Sequence, residues 1–465
     1  MKKFLSVFLT LTLVLVLAVP VFAAGSTSDN VVGYSADRIE KVSDWSAIPD
    51  IMRYDDFAKN PEAYKILNAD GLRKLIEVVN LGDTMQGVTI YLAYDIDMTS
   101  DKPYTPIGYN RSFEFKGTLD GQGHVIDNMK IIPHGHDNTS GSIGGGLIGY
   151  GLGCTVKNLI LGSNVTVTCT NKKVEGRLGG IIGNMQGGLV DNCYVLATIN
   201  GTRYTGGIVG FTDSKEMETV QNCTFGGTVT DIERGPGGIL GLASQDATRV
   251  TNCRNTGTVI SQSATASQWN TIAGGIVGRC WAADLVITGC INNGTVTGMT
   301  YAGGILGAQQ IKDAEIVDCI NYGTVTTTHT FSDADTENGI LGQGAIDINV
   351  TLTNCVDKVG QTDPTLSTVP TVTPYYPTQA EIDAAHGKKE EDTTVTEENT
   401  TDPEDNETTA SNKDNDTTES TDKTEAVTTG SSADDNKGGC ASVFNGMAVI
   451  LLTAGAGLVF VKKKH

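Results

Sequence analysis

The amino-acid sequence predicts an all-β protein: a right-handed parallel β-helix solenoid with a short N-terminal capping helix, a disordered acidic stalk and a C-terminal transmembrane helix. Three observations predict the solenoid. A glycine-rich pattern, Gly-Gly-Ile-(Val/Leu)-Gly with minor variation, recurs seven times, at 145–149, 179–183, 206–210, 237–241, 274–278, 303–307 and 338–342. A Val-x-Asn-Cys-like piece ends at Cys193, Cys223, Cys253, Cys290, Cys319 and Cys355, and Gly-Thr-Val follows four of these, at 227–229, 257–259, 294–296 and 323–325. The cysteines fall 30, 30, 37, 29 and 36 residues apart, yet the distance from the second glycine to the cysteine stays between 13 and 16. Added length therefore lies outside the conserved pieces. Three strand-sized pieces per period suit one turn of a parallel β-helix, whereas a propeller blade needs about forty residues and four strands.

The elements follow in chain order. Residues 1–23 read as a signal peptide: Lys2 and Lys3 precede an apolar run, and Val21 and Ala23 stand at the cleavage positions. Residues 24–60 form an N-terminal spacer. In the 61–81 region Leu72, Leu75, Ile76 and Val79 fall on one helical face, which predicts a helix capping one open end of the solenoid. The β-helix occupies 82–360, opening with short strand signals separated by Gly/Asp turns. A Thr/Asp/Glu-rich stalk spans 361–440. Between Glu390 and Asp435 it holds 16 acidic residues against 2 lysines, so it cannot bury enough apolar surface to order itself. The 441–461 stretch is long and apolar enough for a transmembrane anchor, and the basic tail 462–465 predicts a cytoplasmic end. The expected location is therefore outside the cell, anchored in the membrane.

Stacking explains the residue types in each repeat. Coils about 4.8 Å apart bring each inward side chain against its own kind above and below, and Ile, Val, Leu and Cys fill a narrow interior. The cysteine column reads as small buried fillers, ahead of a disulfide ladder or a metal array. Cys280 and Cys290 are the pair to test for a bond. Before the cysteines stand Asn192, Asn222, Asn252, Gly289, Asp318 and Asn354, residue types that tolerate a left-handed backbone and so specify a bend.

The repeat resembles the GLUG repeat of bacterial surface proteins, including Gram-positive adhesin-like and immunoglobulin-protease-associated proteins. Upstream, the 91–98 run (YLAYDIDM) and the 115–126 run (FKGTLDGQGHVI) look like the first coils that precede such repeats. The resemblance spans about residues 60–360 and implies a parallel β-helix on a Gram-positive surface. It does not imply one activity.

Charge and motifs narrow the function. A net charge of -21 with no basic patch argues against nucleic acid. There is no HExxH, no GxSxG and no dinucleotide-binding glycine motif leading into a helix. His134, His136 and Asp137 lie close in sequence but lack a further committed metal ligand, so no metal and no cofactor are expected. The expected function is a cell-surface binding or adhesion protein, its partners a glycan or an extracellular protein and, through the C-terminal helix, the membrane. Loops at 211–219, 260–273, 279–286 and 327–337 vary while the core repeats, and Tyr204, Trp269, Trp281, Tyr301 and Tyr322 are the candidate binding aromatics. The alternative is a β-helical carbohydrate-active enzyme, a polysaccharide lyase or glycoside hydrolase, with Asp95, Asp97 and Asp120 as its carboxylates.

Overall fold

Each repeat closes one coil, and consecutive coils pair through parallel strands in register. The computed structural model describes residues 33–51, 62–245, 247–262, 271–281, 284–309, 313–328, 337–343, 350–366 and 373–385. The chain divides into two units, Met1–Glu391 and Asp392–His465, and the second lies outside the described residues. The first unit is an all-β solenoid of parallel strands.

Three faces wind around its core. The longest sheet carries Ile148–Lys157 and Ile182–Asp191 as unbroken ten-residue strands, aligned through Ile148↔Ile182 and Val156↔Val190. From the next coil onward a loop cuts the strand in two, for example into Val209–Thr212 and Glu218–Gln221. Part of the uneven repeat length is absorbed at this cut. The second face stacks two-residue strands such as Tyr194–Val195, Thr224–Phe225, Arg254–Asn255 and Ile291–Asn292. The third stacks the Thr-Val strands, among them Thr198–Gly201, Thr228–Asp231 and Thr258–Ser261.

The interior is one apolar cluster running from Ile51 to Ile340. Cys193, Cys223, Cys253, Cys290 and Cys319 stand inside it fully buried, and Cys355 is half-buried at the end of the column. No disulfide joins any of the described cysteines, Cys280 and Cys290 included. Burial holds the Cys193, Cys223 and Cys253 thiols well above their usual range, so they pack as neutral groups rather than acting as nucleophiles. The bend before each cysteine is left-handed, with φ of +50 at Asn192, +52 at Asn222, +53 at Asp318 and +62 at Gly289. The same bend occurs upstream at Asn128 and Asn158, which lie outside the Asn-Cys pattern.

The glycine pairs do something else. The second glycine and the apolar residue after it form a corner between strands: the first glycine ends a strand in Ile272–Gly274 and Tyr301–Gly303, and the next strand starts at the fourth residue of the motif in the Val209–Thr212 and Leu240–Ala243 coils. Among the described residues none of these paired glycines has a positive φ. Their need is space. A Cβ on Gly207 would press into the carbonyl oxygen of Gly238, and one on Gly238 into that of Gly275, far inside van der Waals contact.

Helix α1, Ala69–Asn80, starts at Asn68, whose side chain accepts from Gly71 N at 3.1 Å. It buries Leu72, Leu75, Ile76, Val78 and Val79 in the main core. Helix α2, Gln379–Ala385, follows the last coil.

The expected transmembrane helix is corrected here, and with it the membrane as a partner and the membrane anchoring of the solenoid. Among the described residues no helix is long and apolar enough to cross a membrane. The physical reason is length: twelve residues of α1 span about 18 Å, and the hydrocarbon layer is about 30 Å thick. The 441–461 stretch to which that helix was assigned, the signal peptide at 1–23, the 462–465 tail and the acidic 390–435 run all lie outside the described residues.

A second difference concerns the beginning of the expected stalk at 361. Asp363 is buried and ion-paired with Arg254, Asn293 Nδ2 donates to it at 3.0 Å, and Tyr375 N donates to Asp95 Oδ2 at 2.8 Å. The N-terminal segment lies against the same second face. Tyr34 stacks on Tyr194 with ring centroids 6.1 Å apart, and Ser35 exchanges two hydrogen bonds with the Asn192 side chain. Composition does not reveal either contact, because each is made by a few side chains with partners 70 or more residues away.

Candidate functional site

The three carboxylates singled out from the sequence are each held in a different set of hydrogen bonds. Asp95 precedes the strand Ile96–Asp97, and its Oδ1 accepts from Val125 N at 2.8 Å and lies 3.1 Å from His124 Nδ1. Partial burial works against its charge, but hydrogen bonds from His124, Tyr375 and Val125 hold the carboxyl below its ordinary value. Asp97 is exposed and closes a local turn with Thr99, whose N donates to it at 3.0 Å. Desolvation works against its charge too, but hydrogen bonds from Thr99 and Asn128 hold the carboxyl low. Asp120 is buried, accepting from Gln122 N and Asn158 Nδ2, both at 3.0 Å, with Lys157 Nζ at 3.3 Å. A general acid needs a carboxyl held high and open to substrate. Asp95 and Asp97 are held low, and Asp120 is closed in.

The candidate aromatics separate. Tyr204 is buried with Phe211 and Leu242, and its hydroxyl accepts from Arg234 at 2.7 Å. Tyr301 is buried with Ile272 and Ala308. Trp281 is 39% exposed, Tyr322 is half-buried beneath Lys358, and Trp269 lies outside the described residues. His134 lies tilted against Tyr109 with ring centroids 4.5 Å apart, in a hollow it shares with His136 and Asp137.

What the fold assembles instead is a ribbon of charge. Glu114 Oε1 accepts from Gln186 Nε2 at 2.9 Å, and Gln186 Oε1 accepts from Arg111 at 3.3 Å. Arg111 pairs with Asp213, and Asp213 with Arg177 at 3.3 Å. Arg177 also pairs with Glu175 at 2.7 Å and lies 3.9 Å above the Phe211 ring. Arg203 then joins Glu175, at 3.8 Å, to Glu233, at 2.8 Å. Eight side chains from successive coils thus alternate donor and acceptor. Exposure of the ion-paired members ranges from 12% for Arg177 to 52% for Arg111, while Glu114 at one end is buried, so the ribbon is open to solvent along its ion-paired length. Exposed pairs of this kind add little stability, about 0–1 kcal/mol each. No motif announces them. The one sequence signal is position, since Glu175, Arg177, Arg203 and Glu233 each fall a few residues before a glycine pair.

Beneath the ribbon lies Glu218, fully buried. Its Oε1 accepts from Asp213 N at 2.8 Å and its Oε2 from Thr248 Oγ1 at 3.2 Å, which ties down the 211–219 loop. Burial pushes its carboxyl up to about 8, against the pull of those hydrogen bonds. A carboxyl raised above its unfolded value stabilises the fold fully below the unfolded value, and that contribution fades as pH rises through about 8. The thermal midpoint of the full chain is therefore expected to fall between pH 5 and pH 9. In Glu218→Gln that fall should shrink, as melting curves across the range would show; an unchanged slope would reject the assignment.

A second polar ladder runs inside the solenoid. Asn255 Nδ2 donates to Asn292 Oδ1 at 2.8 Å, Asn292 to Asn321 at 2.7 Å, and Asn321 to Asp357 at 2.9 Å. The first three are fully buried, and each member satisfies the next across one coil. Its sequence signal is the residue two places after the cysteine, Asn or Asp in four consecutive repeats.

The comparisons with known proteins add little chemistry. No family model matches the chain. Over 108 residues, 23% of the chain, it is 32% identical to Halomucin of Haloquadratum walsbyi (strain DSM 16790 / HBSQ001), and it spans 1% of that protein's length. A solved structure described as an immunoglobulin A1 protease from Bacteroides ovatus aligns with a TM-score of 0.41 and 18% identity, covering 64% of this chain and 84% of that one. That likeness is too distant to bear on activity. The parallel β-solenoid stands on the strand pairing, and the finer likeness to GLUG-repeat adhesins rests on the repeat residues alone.

Proposed function

We propose that this protein is a binding solenoid, with the Arg/carboxylate ribbon as the face that takes an extended glycan. One observation carries the reading: side chains from Glu114 to Glu233 are held in a continuous row of alternating donors and acceptors along the stack. A glycan chain offers hydroxyls that both donate and accept, and coils about 4.8 Å apart repeat at close to the length of one sugar unit. Because the side chains hold one another, little rotamer entropy remains to be lost on binding. The GLUG-like repeats agree with an adhesin of this kind.

Glu218 favours a second reading. A carboxyl pushed up to about 8, hydrogen-bonded to the backbone of Asp213, is the type of group a carbohydrate-active enzyme uses as its acid. Against it, Glu218 is fully buried under the loop.

An array of glycans and matrix proteins, probed with the full chain and read for retention and for released product, separates the two. Retention on glycans without release is expected, reduced at least tenfold in Arg177→Ala/Arg203→Ala with the circular dichroism unchanged. Released oligosaccharide that disappears in Glu218→Gln would replace the binding reading with the enzyme. Retention on matrix proteins alone, or none at all, would reject the glycan reading.

A further inference from the structure

We propose that a cleft at the N-terminal end of the solenoid, lined by residues outside the ribbon, binds a single pyranose unit; the ligand class rests on the glycan reading above. The cleft encloses about 500 Å³, within the range of small-molecule sites, and is lined by Trp45, Asp50, Lys65 and Tyr94, with Ala385 of α2 at its edge. Its walls come from three separate stretches of chain: the N-terminal segment, the first coil and the C-terminal helix. The Trp45 indole is fixed edge-on against Tyr91, with centroids 6.1 Å apart and planes at 88°, so it is oriented before any ligand arrives.

The second observation is Lys65. Its side chain is only 5% exposed, and its Nζ donates to the Trp45 carbonyl at 2.6 Å and lies 3.3 Å from Asp50 Oδ1. An ammonium has three N–H groups. Two have partners among the described residues, and a buried donor left unused is costly. A ligand oxygen would satisfy the third. The Asp50 carboxylate, 16% exposed, offers an acceptor beside it. An aromatic ring with a donor and an acceptor side by side is the combination a sugar needs: its C–H face packs on the ring while neighbouring hydroxyls meet Lys65 and Asp50.

The test uses the full chain carrying Trp269→Phe and Trp281→Phe, which leaves Trp45 as the sole indole of the 3 tryptophans. Its fluorescence is titrated with glucose, N-acetylglucosamine and glucuronate. A saturable shift with at least one sugar is expected, lost in Lys65→Met and weakened at least fivefold in Asp50→Asn. Asp50→Asn keeps shape and size, so it serves if Lys65→Met fails to fold. No shift with any of the three, or a shift that persists in both variants, overturns the proposal. The two readings fail separately. Loss of the fluorescence response with array retention intact removes only the cleft, and a fluorescence response without array retention removes only the ribbon.

Discussion

Gly207→Val is expected to prevent the solenoid from folding, and Gly207→Ala to cost more than ~4 kcal/mol, the range reserved for gross core disruption. The reason is the carbonyl ladder of the corner. Gly180 N donates to Gly207 O at 3.2 Å, Gly207 N to Gly237 O at 3.0 Å and Gly238 N to Gly274 O at 3.1 Å, so the backbones of neighbouring coils meet with no room for a side chain. A Cβ at 207 would collide with the Gly238 carbonyl and the Phe225 ring, and the carbonyl cannot swing aside without breaking a coil contact. Gly141→Ala is the control. That glycine has φ +109 but open space around its Cβ position, so its cost is conformational alone, about 1 kcal/mol. Urea unfolding of the purified variants compares them. A Gly207→Ala protein as stable as Gly141→Ala would show that close approach is not what the paired glycines provide.

Asp363→Ala should destabilise the fold by about 3–5 kcal/mol, the cost of leaving a buried charge without its partner. Arg254 is 5% exposed and Asp363 1%, and their ion pair is completed by Asn293 Oδ1 at 2.7 Å and Thr365 Oγ1 at 2.8 Å from the guanidinium. Replacing both charges, in Arg254→Met/Asp363→Leu, should recover most of the loss, since an apolar pair of similar volume has no desolvation penalty to offset. The pair also predicts acid sensitivity. Burial works against the Asp363 charge, but hydrogen bonds from Thr365, Arg254 and Asn293 hold its carboxyl below the ordinary value. Its stabilisation is present above the unfolded value near 4 and is lost as pH falls through the lower, folded one. Thermal melts of the single and double variants at pH 7 and pH 3 measure both effects. A single variant as stable as the parent at pH 7 would mean that the 361–366 segment does not hold Arg254 in solution.

These predictions differ in how far they were legible. The glycine pairs repeat at nearly constant distance from a cysteine, and their importance is plain in the sequence, but their role is not. A glycine-rich stretch rich in Ile and Val reads as a strand; the paired strands show it to be a corner, where the need is for closeness rather than for a left-handed turn. Arg254 and Asp363 are 109 residues apart, one in a repeat and one in a tract whose composition suggests no structure. Nothing local joins them. The ribbon is similar, because Arg111 meets Asp213 across 102 residues. Asp95, Asp97 and Asp120 stand out in a sequence as paired carboxylates do. In the folded chain Asp97 and Asp120 close local turns, and all three accept hydrogen bonds from a neighbouring coil, Asp95 from the C-terminal segment as well.

The coil can be read from residue order alone: its period, its bends at Asn and Gly, and the Ile, Val and Cys that fill it. Such properties are local, since one coil repeats the last and an inward residue meets its own kind a fixed number of residues away. Which surface is left for binding is fixed only once the chain has folded. That depends on which charges from different coils come within reach of one another, and on where the N-terminal and C-terminal segments lie on the second face. These are contacts between residues with no common spacing, selected by packing and pairing in three dimensions, and no period in the chain encodes them.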